Sequence, residues 1–272
     1  MALDKLSILE SAGKLKALFL DLIFPKECFN CSQEGAWLCN DCFRKLKFKP
    51  EQYCLHCKKG KKENQQGQFC ETCQKYYGLE GVWIAGDYND LIIAKLIKSL
   101  KYHFTQEVAR DLGKFLSLFL RDLINKSRIG RVDLVSGIGF RKLEQVRDYP
   151  NILLNISQNL IVPVPLHKKR KRWRGFNQAE VIACEIADHF NLELCIDHLV
   201  RIKHKKPQAK LGEAARKDNI INCFAWRGDK LANRNIIIID DVVTTGATLN
   251  ECAKVLKANG AGEVWGLVIA KG

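Results

Sequence analysis

Residues 236–250 read IIIIDDVVTTGATLN. Four isoleucines closed by Asp240 and Asp241 make the pattern of a central strand buried on both faces of a parallel sheet, with the acids at its carboxyl end. In open α/β sheets, ligands bind in the crevice beyond that edge. Thr244, Thr245, Gly246, Ala247 and Thr248 follow. Glycine lets the backbone come close to a ligand, and the residues after it predict a helix that runs to Asn259 and stops at Gly260. Exposed N–H groups at such a helix start, with hydroxyls beside them, form a cradle for phosphate.

Two carboxylates beside a phosphate cradle suit a sugar phosphate, because the acids accept hydrogen bonds from vicinal ribose hydroxyls while the loop holds the 5-phosphate. No lysine follows the glycine in the GK[ST] manner, which excludes a nucleotide P-loop. The stretch resembles the phosphoribosyl pyrophosphate (PRPP) signature of the type I phosphoribosyltransferases.

The 272 residues, 47% of them hydrophobic, have room for one domain of ordinary size and a small second one. Charges are scattered through residues 1–24 and no 18-residue apolar run occurs. The expectation is therefore neither a secretion signal nor a transmembrane helix, and a soluble, cytoplasmic protein. The formal charge of +14 is uneven: residues 1–80 hold 13 Lys/Arg against 10 Asp/Glu, and the remainder 31 against 20. The second part thus favours a polyanionic partner, pyrophosphate or nucleic acid.

Eight of the 12 cysteines fall in four Cys-x-x-Cys pairs: Cys28 and Cys31, Cys39 and Cys42, Cys54 and Cys57, Cys70 and Cys73. In a long chain with no signal peptide such pairs point to metal rather than disulfides. Each pair can form a knuckle that gives two thiolates to one tetrahedral Zn²⁺, and two knuckles close a structural four-sulfur site. The seven- and twelve-residue separations suit sequential pairing; interleaved pairing and His56 as a substitute ligand remain open. Lys58–Lys62 reads as the solvated tip of a ribbon or as a nucleic-acid contact.

Leu3–Phe24 carries apolar residues at helical spacing, ended by Pro25. A strand over VWIAGDY (82–88) and a helical stretch containing LIKSLKYH, continuing to about Asn125, begin a new unit near residue 80. Residues 126–158 read as a surface insertion. NLIVPVP (159–165) predicts a second buried strand, followed by a basic loop, KKRKRWR, with six Lys/Arg in Lys168–Arg174. Arginine there can grip phosphate in bidentate fashion. A crossover helix is expected over 175–190, a strand over 192–200, and INCFAW (221–226) and Val264–Ala270 as the remaining strands of the sheet. Arg201–Asn219, with seven Lys/Arg against Glu213 and Asp218, has the length and composition of a lid over a polyphosphate or of a mobile loop.

Taken with FPKEC (24–28), LIKSLKY (96–102), VPVPL (162–166), RGFNQAE (174–180) and Gln208…Leu211…Arg216…Asn219, the chain resembles the competence protein F (ComF) family and its GntX-like relatives over nearly its whole length. The resemblance implies an N-terminal helix (1–24), a double zinc ribbon (25–78) and a phosphoribosyltransferase-like α/β domain (79–272), a parallel sheet flanked by helices. It also implies two structural Zn²⁺, Mg²⁺ with PRPP, and a role in uptake of single-stranded DNA. By position, Asp240 and Asp241 would hold the ribose hydroxyls and Thr244–Thr248 the 5-phosphate. Val164, Pro165, Leu166 and His167 would form the pyrophosphate turn, with a non-prolyl cis bond, and Arg174 and Arg216 would approach the pyrophosphate. Thr244 stands where purine phosphoribosyltransferases place a basic aspartate, so the signature shows no base. Two functions follow from the resemblance: transfer of phosphoribose to an acceptor, or a non-catalytic factor that binds PRPP and single-stranded DNA.

Overall fold

The computed structural model describes residues 25–58, 66–102, 105–132, 150–203 and 220–272, with the backbone alone for 128–132. The expected helix within 1–24, the lysine run beyond Lys58, most of the 126–158 insertion, and the lid from 204 to 219 with Arg216 lie outside the described residues. The chain divides into two compact units, Met1–Leu46 and Lys47–Gly272.

In the first unit a tight turn carries Cys28 and Cys31, with the Ser32 N–H donating to Cys28 O and the Cys28 N–H to Gln33 O. Phe29 stacks on Trp37 at 5.2 Å between ring centroids, and Cys39 opens the short helix α1 (Asn40–Arg44).

The second unit begins with a further cysteine ribbon, in which Cys70 opens α2 (Glu71–Gln74). There follow β1 (Gly81–Asp87), α3 (Leu91–Tyr102), α4 (Gln106–Val132), α5 (Asn151–Leu154), β2 (Leu160–Pro163), α6 (Lys168–Arg174) and α7 (Gln178–Phe190). Then come β3 (Glu193–Leu194), β4 (Leu199–Arg201), β5 (Phe224–Trp226), β6 (Ile236–Val243), α8 (Ala247–Ala258) and β7 (Val264–Lys271). Five strands form a parallel sheet in the order β1-β7-β6-β2-β3. Ile236–Ile239 are fully buried, pairing with Leu160–Pro163 on one side and Val264–Leu267 on the other. This is the unbroken apolar strand that the sequence predicts, and α4, α7 and α8 pack against the sheet around it.

The outer edge of β1 does not face water along its length. Lys49 N–H donates to Ala85 O, Val82 N–H donates to Gly67 O, and Phe69 N–H donates to Glu80 O. Between them the Gln52 side-chain amide bonds both Ile84 O and Ile84 N–H, each at 2.9 Å. The second ribbon thus satisfies backbone groups that an open edge would leave unpaired.

Four local expectations change. The basic stretch after β2 is a helix, α6, because the His167 ring Nδ1 accepts from the Lys169 N–H at its start and Gly175, at φ 85°, takes the left-handed turn that ends it. The strand expected over 192–200 breaks at Cys195–His198 into β3, in the main sheet, and β4. β4 instead forms an antiparallel pair with β5, so the INCFAW segment does not join the main sheet. Helix α4 continues past Asn125 to Val132, because nothing in NKSRIGRV before Gly130 breaks a helix. The peptide bonds of the Val164–His167 turn are all trans; a cis bond at a non-prolyl residue costs about 3 kcal/mol. Among the described residues, no helix is long and apolar enough to cross a membrane.

Gly81 is where the ribbon and the sheet come closest: a Cβ there would collide with Gly67 O and with the Trp265 ring, which stacks on Trp83. Gly81→Ala should therefore lower stability by about 1–3 kcal/mol, read as a lower urea midpoint at an unchanged m-value.

Candidate functional site

Parallel pairing on both sides brings β6 to its carboxyl end beside the Val164–His167 turn, since the Val164 N–H still donates to Ile239 O. The turn is held from behind by buried Asn177, whose Nδ2 donates to Val164 O at 3.0 Å. This gives the Asn of RGFNQAE a structural role. Asp240 and Asp241 are half-buried at the strand end, each accepting on Oδ1 from the backbone N–H of the residue that follows it, at 2.8 Å. Past them, Gly246 adopts φ 79° and starts α8, with the Thr245 hydroxyl accepting from the Ala247 N–H at 3.4 Å. The acid pair, the turn and the helix start of Thr244–Thr248 therefore share one edge, as the sequence predicts.

Three cations close on the acids from other segments. Lys101 Nζ lies 3.3 Å from Asp241 Oδ2. Arg174 reaches the same place from α6, its Nη2 donating to Lys101 O at 3.4 Å, and Arg201 stands over the Phe224 ring and in the field of Asp240. Burial pulls both guanidinium groups below their ordinary pKa, and the Nε of each is buried with no partner among the described residues. Burial, reinforced by the charge of Asp241, pushes the Asp240 carboxyl well above the usual carboxylate range. An acid that resists ionisation beside buried guanidiniums with unused donors is an arrangement shaped for an oxygen-rich ligand rather than for itself.

Arg174 is legible in the sequence; Lys101 and Arg201 are not. Lys101 lies in LIKSLKY, where a helical pattern does not say what the lysine reaches. Arg201 opens the lid-like stretch in the sequence, and β4 instead fixes it in a strand.

The eight paired cysteines form two clusters, Cys28, Cys31, Cys39 and Cys42 and then Cys54, Cys57, Cys70 and Cys73, each with all four Sγ atoms within 4.8 Å of one another. This is the sequential pairing. The Cys31–Cys39 and Cys57–Cys70 sulfurs are 3.6 Å apart, too far for a disulfide and close to the edge of about 3.8 Å in a tetrahedron with Zn–S bonds of about 2.3 Å. Both clusters fit structural Zn²⁺, with four thiolates and no open position. His56 stands outside the set: its Nδ1 pairs with the Tyr77 hydroxyl at 3.0 Å.

Comparison with known proteins agrees. Competence protein F of Haemophilus influenzae is 30% identical over 241 residues, which span 86% of this chain and 90% of that protein. The chain belongs to the competence protein F family. The chain is also similar to the DNA utilization protein YhgH of Escherichia coli K12, at 35% identity over 39% of this chain and 47% of that one. Competence protein ComFC of Bacillus subtilis is 34% identical over 37% of this chain and 39% of its own length. A family model described as a double zinc ribbon domain matches residues 19–76.

Elemental analysis of this ComF protein should give two zinc per chain, falling to one in Cys31→Ser and to one in Cys57→Ser. A zinc content of zero, or of one in the unaltered protein, would contradict the two-site assignment.

Proposed function

We propose that the protein binds PRPP with Mg²⁺ at the carboxyl edge of β6 and transfers its phosphoribosyl group to an acceptor. The observation that carries this reading is the acid pair at the end of the central strand, set between a phosphate-type helix start and a wall of Lys101, Arg174 and Arg201. The 5-phosphate would take the free N–H groups of the first turn of α8 and the hydroxyls of Thr244, Thr245 and Thr248. The ribose 2- and 3-hydroxyls would donate to Asp240 and Asp241, and the pyrophosphate would lie along the Val164–His167 turn toward Arg174, with lid residue Arg216 closing from outside.

In the transfer, a lone pair of the acceptor forms a bond to ribose C1 while the bond from C1 to the pyrophosphate oxygen breaks, its electron pair leaving with the pyrophosphate. Charge builds up on that leaving oxygen, which is where preorganised cations act most strongly. Mg²⁺ neutralises the pyrophosphate when bound. Thr244 offers no base at this position, so the acceptor either needs none or takes its base from elsewhere in the protein.

The pH behaviour of Asp240 separates its binding role from a folding role. Its folded pKa is raised, so its proton contributes stability that is complete below the ordinary carboxylate range and is lost as pH rises through the raised value. Above the ordinary carboxylate range the ligand-free protein therefore bears a cost at Asp240, either in burying its charge or in holding its proton. Asp240→Asn removes that cost, and its melting temperature should exceed that of the unaltered protein at pH 7, with the gap narrowing on acidification. The same change, combined with Asp241→Asn, should weaken PRPP binding in Mg²⁺ at least tenfold by calorimetry. Undiminished affinity in the double variant would sink the assignment.

A second reading, binding of single-stranded nucleic acid in DNA uptake or use, is favoured by α6. Trp173 there is 67% exposed among six cations, an aromatic to stack on bases beside charges that follow phosphates. The names of the relatives, competence protein and DNA utilization protein, point the same way. Labelled oligonucleotide should bind at low salt, release steeply as salt rises, and compete with PRPP and Mg²⁺. Absence of binding even at low salt would remove nucleic acid from its partners.

A further inference from the structure

We propose that the second cysteine ribbon is a working part of the phosphate loop: Leu55, inside the Cys54–Cys57 knuckle, positions Gly246, so that metal held by Cys54, Cys57, Cys70 and Cys73 sets the loop's ligand-binding form. The inference rests on the reading of residues 244–248 as a phosphate holder, but its central claim, that the ribbon fixes the loop, can be measured without any ligand.

Leu55 is 4% exposed and belongs to one apolar core with Cys54, Val243, Leu249 and Cys252. A Cβ added to Gly246 would lie 2.7 Å from Leu55 Cδ2 and 3.9 Å from Val243 Cγ2. The glycine is therefore lodged against a leucine of the knuckle, in a left-handed conformation that only glycine adopts freely. One turn into α8 a second contact repeats the connection: Asn250 Oδ1 accepts from the Gly78 N–H at 2.8 Å, and its Nδ2 donates to Tyr76 O at 3.4 Å. Tyr76 and Gly78 stand three and five residues after the last ligand, Cys73. Gly78 itself runs so close to α8 that a Cβ would be 3.1 Å from the Lys254 backbone nitrogen. A third tie is the ion pair of Glu80 with Lys257 near the far end of α8.

The helix whose start forms the cradle is thus held along its length by the segment that carries the four thiols. A thiolate knuckle owes its shape to the metal, because bonds from four sulfurs to one ion are what hold them within 4.8 Å of one another. Leu55, fixed between ligands Cys54 and Cys57, cannot keep its place against Gly246 when the knuckle opens. The strand side of the loop behaves differently: Val243 O accepts from the Gly272 N–H and β6 is paired on both sides, so loosening falls on residues 244–250 and spares β6 and β7.

The test uses the full, zinc-loaded chain and amide hydrogen exchange. In Leu55→Val, which deletes the atom nearest Gly246 and leaves a smaller apolar residue in its place, zinc content should stay at two per chain. Exchange of the 244–250 amides should rise at least tenfold, with the 264–271 amides unchanged, and PRPP affinity should fall about tenfold. Cys57→Ser should give the same local pattern with one zinc per chain, and Leu55→Met, which restores the reach of the side chain, should return exchange toward the original. Exchange in 244–250 that stays unchanged in Leu55→Val, or that rises equally in 264–271, would overturn the proposal. Should the unaltered protein bind no PRPP, the PRPP reading fails and the exchange measurements still decide whether the ribbon positions the loop.

Discussion

Pairing of Ile236–Ile239 on both sides is the constraint from which the rest of the second unit follows. A strand with neighbours at both edges and apolar cover on both faces cannot slip freely, because a shift of one residue would draw Asp240 into a buried position now filled by an isoleucine. Its end is fixed as firmly as its middle. Asp240 and Asp241 therefore emerge at a determined point, and the Val164–His167 turn, joined to Ile239 through Val164, is aligned with them by the same ladder. The acids sit where they do because the isoleucines cannot sit elsewhere.

The edge of the sheet poses the opposite problem. β1 has a partner on one side alone, and in most proteins such an edge would be blunted with charge or shortened. Here the second ribbon supplies the missing hydrogen bonds, partly from backbone and partly from the Gln52 amide. Its cysteines Cys54 and Cys73 share one apolar core with Ile236, Ile238 and Leu249. Metal binding, which for such sites is folding energy, is in this way connected to the sheet itself.

The electrostatics at the carboxyl edge run against stability. A carboxyl group whose pKa is pushed up by burial, a like charge beside it, and two guanidiniums whose buried Nε groups lack partners among the described residues are each unfavourable in isolation. The Lys101–Asp241 pair offsets part of this, though both groups keep some contact with water and screening limits what it contributes. Several unfavourable groups gathered in one crevice mark it as a candidate binding site.

The sequence alone determined whatever depends on neighbouring residues. The apolar run of β6, the acids that close it, the glycine that starts α8 and the knuckle spacings are local patterns, and the structure keeps all of them; chelation by Cys-x-x-Cys and strand burial are both settled within a few residues. Tertiary structure decided what depends on meeting. Lys101 reaches Asp241 across 140 positions of sequence, and Arg201 is turned toward Asp240 because Cys195–His198 interrupts the strand and sends β4 to pair with β5. The basic stretch 168–174 became a helix through a cap from His167 and a turn at Gly175, a choice that charge density does not make. Leu55 is the plainest case: its apolar character was readable, but that it would lie on Gly246 follows only from the ribbon folding onto the edge of β1, a contact between segments that share no local pattern.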